Sequence, residues 1–314
     1  MHNPAQGEID VAAVDHALKD QIDRDDASMG TVAPVLGHLV LNAENSLFSD
    51  QIVAQVRGMA AHVAKQFLQT SGPDRTIGSP DGQDVLADAF LRCDAFITHC
   101  HVLAIEGDLS NKLSDRSGID AVLTPMLQAL IASDDDEMQR LAMAILSAQA
   151  RFIQHYRRME LPIAELPGAV FELLLFILKD FGESMVDVST IETLRAHYND
   201  SQNRLVLIDR LLSKMGKGAL AALSLPHAGV ALFLSTLAQL APVDRTLAVY
   251  STNERQIARL SLAMRAAGMK FAAMQEQMAL FQPDCSVSPA MEHMRIEQAK
   301  TLIETSCAVW GDRS

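Results

Sequence analysis

Residues 133–158 read SDDDEMQRLAMAILSAQARFIQHYRR, and this stretch decides the fold class of the chain. Four acidic side chains directly follow Ser133, and basic side chains gather at the other end. Between them, apolar residues recur at the three- and four-residue spacing of one helix face. Acid near the N-terminus and base near the C-terminus of a helix both complement its dipole. The stretch therefore predicts a long helix capped by Ser133, and this local role of the acidic run argues against a metal site there.

The segments that follow alternate between amphipathic and almost wholly apolar patterns. An Arg-Leu pair recurs in three amphipathic segments, at residues 140–141, 204–205 and 259–260. Leu-Pro opens two apolar segments between them, at residues 166–167 and 225–226. A helix that is apolar all round needs neighbours on most sides. Because no stretch sustains the alternation of a strand, the sequence predicts an all-α protein, an irregular stack of antiparallel helices.

This layout resembles HEAT-like helical-repeat proteins, and more narrowly an alphaproteobacterial family of unknown function with such repeats. The resemblance covers about residues 133–281 and rests on capped acidic helix starts, the internal Arg-Leu pair and paired helices. It implies a bacterial scaffold that binds a partner, and it carries over no catalytic residues. The Arg-Leu pairs are 64 and 55 residues apart, so the layout departs from a regular superhelix.

Negative charge is concentrated in the first part of the chain. The net charge is −13, and residues 1–140 carry the whole excess, with 22 acidic and 9 basic side chains. Because Lys and Arg supply most of the affinity for phosphate, this argues against nucleic acid and an anionic membrane as partners. The acidic surface suits a basic protein partner, or it serves only as a solvated surface.

A break rich in Gly, Pro, Ser and Asp divides the sequence near residue 73. It predicts an acidic N-terminal helical unit at 1–72, a linker or loop at 73–82 and a helical-repeat-like domain at 83–314. Within that domain we expect a helix over 83–106 and then a polar loop over 107–118. Ser117 and Asp120 have the spacing of a capping box for the next helix.

One polar face at the end of the opening stretch is the candidate binding site. Four side chains share the i, i+3, i+4 and i+7 spacing of a helix face: Arg151, Gln154, His155 and Arg158. Arginines there can bind a carboxylate or phosphate through paired hydrogen bonds. The other interpretation is a solvated helix end whose charges offset the dipole. Further arginines predict a basic side of the second half: Arg204, Arg210, Arg255, Arg259 and Arg265.

The densest group of metal-binding residue types lies in the predicted helix at 83–106. It consists of Cys93, His99, Cys100 and His101. Zinc needs four converging ligands, and side chains on one helix converge only at spacings of three or four. No pair here has that spacing, so we expect no metal. The cysteines are predicted to be small buried side chains, and the histidines to lie on the flanks.

Motifs of common enzyme classes are missing from the sequence. It contains no P-loop, G-x-G-x-x-G, H-E-x-x-H or G-x-S-x-G. Active sites can also assemble from distant positions, so this absence does not exclude an enzyme. The sequence favours a non-enzymatic interaction or regulatory scaffold without a cofactor. The alternative is an enzyme or small-ligand sensor with a polar pocket near Arg151, His155 and Arg158.

Two features bear on compartment. Four cysteines without a C-x-x-C pair, and a first segment that lacks the pattern of a signal peptide, predict a reduced cytoplasmic protein. Residues 218–243 contain no charged side chain and are long enough to span a membrane. Pro226 and His227 interrupt this stretch, so we expect two short buried helices there rather than a membrane span.

Two predictions concern the core. Leu174 lies in an apolar helix at 167–181, where an aspartate is expected to prevent folding. Methionines near the end of the chain are expected to fill a core, with an adaptable peptide-binding surface as the alternative. They are Met264, Met269, Met274, Met278, Met291 and Met294.

Overall fold

The computed structural model describes residues 16–22, 49–70, 80–181 and 188–311, and helices are the only regular elements in these ranges. The all-α prediction is confirmed for them. Eight of the helices precede residue 216: α1 (Asp50–Gln69), α2 (Pro80–Leu91), α3 (Asp94–Ser117), α4 (Pro125–Ile131), α5 (Asp136–Arg157), α6 (Gly168–Phe181), α7 (Val188–His197) and α8 (Arg204–Met215). Six follow: α9 (Leu225–Leu240), α10 (Arg245–Tyr250), α11 (Ile257–Ala266), α12 (Phe271–Phe281), α13 (Ala290–His293) and α14 (Ile296–Gly311).

The predicted helix and loop at 83–118 are wrong in their bounds. The helix is interrupted between Leu91 and Asp94, and α3 then continues through the predicted loop to Ser117. Leu109 and Leu113 provide a buried face at helical spacing, so exposed polar residues such as Lys112 and Ser114 lie on the outside of the same helix, whereas Ser110 is also buried. The glycine at 107 is a point of close packing rather than a helix end.

Two predicted caps are also wrong, one by two residues and the other by seven. The carboxylate of Asp135, not the hydroxyl of Ser133, accepts the first backbone N–H groups of α5. Ser133 instead accepts the Asp135 N–H at 3.1 Å. Thr124 caps α4, in place of the predicted pair of Ser117 and Asp120. In both cases a side chain closer to the helix satisfies the exposed donors.

Two clusters of buried apolar side chains stabilise the described residues between 49 and 235, which form one compact unit. The first cluster gathers side chains from α1, α2, α3 and α6. The second gathers them from α4, α8 and the start of α9. α5 belongs to both, because Leu141 and Ile145 lie in the second cluster and Phe152 and Tyr156 lie in the first.

The described residues 16–22 and 236–311 form a second compact unit. Within it, α11 packs against α12, α13 and α14. The six methionines near the end of the chain are between 0% and 6% exposed, which confirms that they fill a core. Most of the predicted linker at 73–82 lies outside the described residues.

The uncharged stretch at 218–243 is interrupted as expected. A 3-10 helix covers Gly216–Ala222, and α9 begins at Leu225, with Pro226 in its first turn. Proline suits that position because the first N–H groups of a helix have no partner within it. The first of the two predicted helices is thus a 3-10 helix, and the prediction that it is buried is wrong for Leu220, which is 52% exposed. In the part of the chain that the structure describes, no helix combines the length and apolarity needed to cross a membrane.

Candidate functional site

The last turns of α5 carry three of the predicted site residues, and the fourth, Arg158, is the C-cap residue that follows the helix. Arg151, Gln154 and Arg158 are exposed, and the side chain of His155 is 30% exposed. His155 Nδ1 lies 2.8 Å from Oε2 of Glu160, which is 29% exposed. The His155–Glu160 contact therefore joins a predicted site residue to one that helical spacing did not indicate.

The C-terminus of α5 brings His155 and Glu160 together. The Met159 N–H donates to the Tyr156 carbonyl, and the Glu160 N–H donates to the His155 carbonyl, both at 2.9 Å. These bonds form a Schellman motif, whose left-handed residue is usually glycine. Met159 occupies that position with φ 57°, the one positive φ at a non-glycine residue in the described ranges. The hydrogen bond from His155 lowers the pKa of Glu160.

Polar side chains of α1 hold this turn in place. Gln55 donates to the Tyr156 carbonyl at 2.8 Å. The Leu161 N–H lies 3.2 Å from His62 Nδ1, and Gln66 Nε2 donates to the Leu161 carbonyl at 2.8 Å. Each bond joins positions roughly a hundred residues apart, so the turn depends on tertiary contacts with α1.

Gly58 permits the close approach of α1 to the turn. A Cβ atom at Gly58 would lie 2.5 Å from Met159 Cβ and 2.7 Å from the Met159 carbonyl oxygen. The ring centroids of His62 and His155 are 6.1 Å apart beside it. Sequence spacing missed His62 and Glu160 because neither lies on the predicted face of α5.

A buried ion pair lies beneath the predicted face. The side chains of Arg204 and Glu106 are both 0% exposed, with Nη1–Oε1 at 2.5 Å and Nη2–Oε2 at 3.1 Å. Arg204 Nη1 also donates to Gln149 Oε1 at 3.0 Å, and its guanidinium carbon lies 3.9 Å from the ring centroid of Phe152. Residues of α3, α5 and α8 thus meet at one guanidinium group, which restrains the packing of the three helices.

Glu165 is a second carboxylate of this buried cluster. Burial raises its pKa, and the nearby carboxylate of Glu106 adds to the increase. The charges of Arg204 and Arg151 and a hydrogen bond from the Arg204 backbone oppose the increase without cancelling it. Arg151, a predicted site residue, therefore acts electrostatically on the cluster from its exposed position.

The predicted basic side of the second half is wrong for two arginines. Arg204 is 0% exposed and Arg259 is 1% exposed. The recurring Arg-Leu pair marks both positions, but Arg140 carries the same pair and is exposed. The pair therefore gives no indication of burial. The other three predicted members are exposed or partly exposed: Arg210, Arg255 and Arg265.

The two cysteines and two histidines of residues 93–101 lie in different surroundings. Cys93 is the N-cap residue of α3, and His99 Nε2 lies 3.1 Å from the Glu165 carbonyl oxygen. Cys100 is buried as predicted, and burial raises its pKa. Cys93 is only partly buried, so the burial prediction is wrong for it. The flank prediction is wrong for His101, which is 3% exposed and whose pKa burial lowers to about 4. The described ranges contain no group of three His, Cys, Asp or Glu side chains placed to hold a metal ion.

α6 presents an apolar face to solvent. Leu173 is 46% exposed and Phe176 is 64% exposed, and Ala169 is exposed on the same face. The prediction that this apolar helix has neighbours on most sides is therefore wrong for its outer face. Its inner face lies in the first core cluster through Val170, Phe171, Leu174, Leu175 and Leu178.

No family model matches the chain, and no curated protein or solved structure matches it significantly. The resemblance to HEAT-like repeats therefore stays a prediction from the spacing of helices. The apolar outer face of α6 and the polar turn after α5 are two distinct surface features of the described residues.

Proposed function

We propose that this chain is a non-enzymatic protein-interaction module or regulatory scaffold of a bacterial cytoplasm, and that a partner helix docks on the outer face of α6. The observation that carries the proposal is the exposure of Phe176 beside Leu173. Single exposed apolar residues are ordinary on protein surfaces. Two large ones less than a turn apart on one helix face form a patch of the kind that partner helices cover.

The spacing of this face fits a helix as the occupant. Ala169, Leu173, Phe176 and Asp180 are all exposed, and they are separated by four, three and four positions. Alternating steps of four and three keep such a row of side chains facing an adjacent helix along its length. We call these four residues the seam of α6. An amphipathic helix with apolar side chains at the same steps would cover Leu173 and Phe176 together.

α6 is already fixed in position for such docking. The ring of Phe171 stacks on that of Tyr198, with centroids 4.0 Å apart and an interplanar angle of 8°. Tyr198 also donates a hydrogen bond to the Leu166 carbonyl at 2.8 Å. A surface held this firmly loses little conformational freedom on binding, which favours affinity.

Other parts of the proposal depend on the sequence. The absence of a C-x-x-C pair supports a reducing compartment, and the resemblance to HEAT-like proteins supports a scaffold of bacterial origin. The acidity of residues 1–140 supports a basic partner. Each of these is a prediction that the exposed face of α6 does not itself address.

Site-directed photocrosslinking tests the docking face. A benzophenone amino acid replaces Phe176 in the full chain, and the control carries it at Leu220, which is 52% exposed in the 3-10 helix Gly216–Ala222. We expect a discrete product from position 176 that the control does not give and that Leu173→Glu abolishes. The crosslinked peptide, identified by mass spectrometry, is then titrated against purified chain. Equal products from both positions, or none, would overturn the proposal.

A further inference from the structure

We infer that the helix docked on α6 is the α6 of a second copy of this chain, packed antiparallel to the first. The inference rests on the proposed function of this face, and it names the partner. It starts from the self-complementarity of the exposed residues along α6. A two-fold axis between positions 174 and 175 places Leu173 opposite Phe176 of the partner subunit, and this contact occurs twice.

The ends of the seam also fit an antiparallel pair. The same axis places Ala169 opposite Asp180 of the partner subunit. Ala169 lies in the first turn of α6, where the helix dipole favours a nearby negative charge. The small alanine leaves room for the partner's carboxylate. Each large or charged side chain of the seam thus meets a suitable counterpart in the second copy.

Charges beside the seam determine the direction of pairing. Glu172 and Lys179 are exposed on the same flank of α6, seven positions apart. In the antiparallel pair, Lys179 lies level with position 170 of the partner, two residues from its Glu172, or about 3 Å along the helix axis. Two symmetric Glu–Lys contacts result. A parallel pair would instead put these two flanks on opposite sides of the interface, so no Glu–Lys contact would form between the copies. Flanking charges of this kind set helix orientation in coiled coils.

Arg195 leaves this arrangement intact. Its Nη2 atom lies 2.6 Å from Oε2 of Glu172, and both side chains remain about half exposed, at 54% and 53%. The Glu172 carboxylate can therefore accept a second cation from the partner. One pair of 14-residue helices covers less than the roughly 1,200 Å² of total area that stable complexes bury. We therefore expect a weak dimer whose population rises with protein concentration.

Sedimentation equilibrium of the full chain over a wide concentration range tests the inference. The weight-average mass should rise from that of one chain towards that of two. Phe176→Glu should hold it at one chain, whereas the control Leu220→Glu should not change it. Glu172→Lys and Lys179→Glu should each weaken the dimer at least fivefold, and the variant that carries both should recover it because the symmetric contacts are restored with reversed sign.

The outcomes separate this inference from the proposed function. A chain that stays monomeric at all concentrations, or a dimer that Phe176→Glu does not affect, would overturn the second copy as partner. If position 176 still crosslinks to a different protein in that case, the proposed function stands. If a dimer forms through α6, the crosslinked peptide from position 176 should be α6 itself. A double charge variant weaker than both single variants would refute the antiparallel register.

Discussion

Arg204 and Glu106 lie 98 positions apart in the sequence and form an ion pair from which solvent is fully excluded. Removing two charges from water costs several kcal/mol for each ion, and their attraction offsets this only when the geometry is good. Here the contact is bidentate, and Gln149 and the ring of Phe152 surround the guanidinium group. The pair therefore matters most when one member is missing, because the other then stays buried and uncompensated.

Breaking this pair should destabilise the protein far more than breaking an exposed one. Arg204→Met is expected to lower the free energy of unfolding by about 3–5 kcal/mol, because Glu106 then lacks its cation. Adding Glu106→Gln should recover part of the loss. Arg195→Met, which breaks the exposed contact with Glu172, serves as the control and should leave stability near wild type. Urea denaturation of the four proteins measures this, and equal losses for the two arginine variants would contradict it.

Substitution by glycine should have opposite effects on stability in the left-handed turn after α5 and inside α5 itself. Met159 has φ 57°, which costs a residue with a side chain about 1–2 kcal/mol. Met159→Gly should therefore raise the free energy of unfolding by roughly 0.5 kcal/mol, after the greater freedom of glycine in the unfolded chain is counted. Met143→Gly, at an exposed position inside α5, should lower it by about 1 kcal/mol. Changes of the same sign in urea denaturation would argue against strain at Met159.

The burial of His101 should make the free energy of unfolding depend on pH. Its pKa falls from 6.5 to about 4 in the folded protein, so the unfolded chain binds a proton between these values and the folded chain does not. The stabilisation is present above pH 6.5 and is lost as the pH falls towards 4, at up to about 1.4 kcal/mol per pH unit. His101→Gln should flatten this part of the stability curve relative to wild type.

The matched control for this titration is His197→Gln, at an exposed position on α7. Urea midpoints between pH 7.5 and pH 4.5 compare the three proteins. As the pH falls, the urea midpoint of wild type should drop more steeply than that of His101→Gln. The midpoint of His197→Gln should change in parallel with that of wild type. A constant difference between wild type and His101→Gln would show that His101 is not responsible.

Features that depend on neighbouring positions could be predicted from the sequence. The helical class follows from apolar spacing, and the break before Pro226 follows from the missing N–H and fixed φ of proline. Helix bounds were less accurate, since Gly107 suggests a loop when sequence is considered alone. In the structure, a Cβ at Gly107 would meet the ring of Tyr156 at 2.3 Å, so the glycine serves packing between α3 and α5.

Features that depend on distant positions could not be predicted. Spacing identified one face of α5, but Glu160 joins His155 through a backbone turn with no glycine to mark it. Nothing in the sequence around Arg204 shows that Glu106 lies beside it. An apolar segment also looks the same whether one side of the helix is covered or both, so the exposure of Phe176 appears only when neighbouring helices are placed.

Adjacent leucines on α6 separate the core from the docking face. Leu174 is 0% exposed in the first core cluster, and Leu173 is 46% exposed on the other side of the helix. Leu174→Asp should prevent cooperative folding, because an unpaired carboxylate in the core costs an amount comparable to the total stability of about 5–15 kcal/mol. Leu173→Asp should melt near wild type in circular dichroism, yet remain monomeric in sedimentation and lose the crosslink from position 176. Cooperative melting of Leu174→Asp would refute the inner face of α6. Failure of Leu173→Asp to fold would mean that the outer face is part of the core, and the proposed docking surface would fall with it.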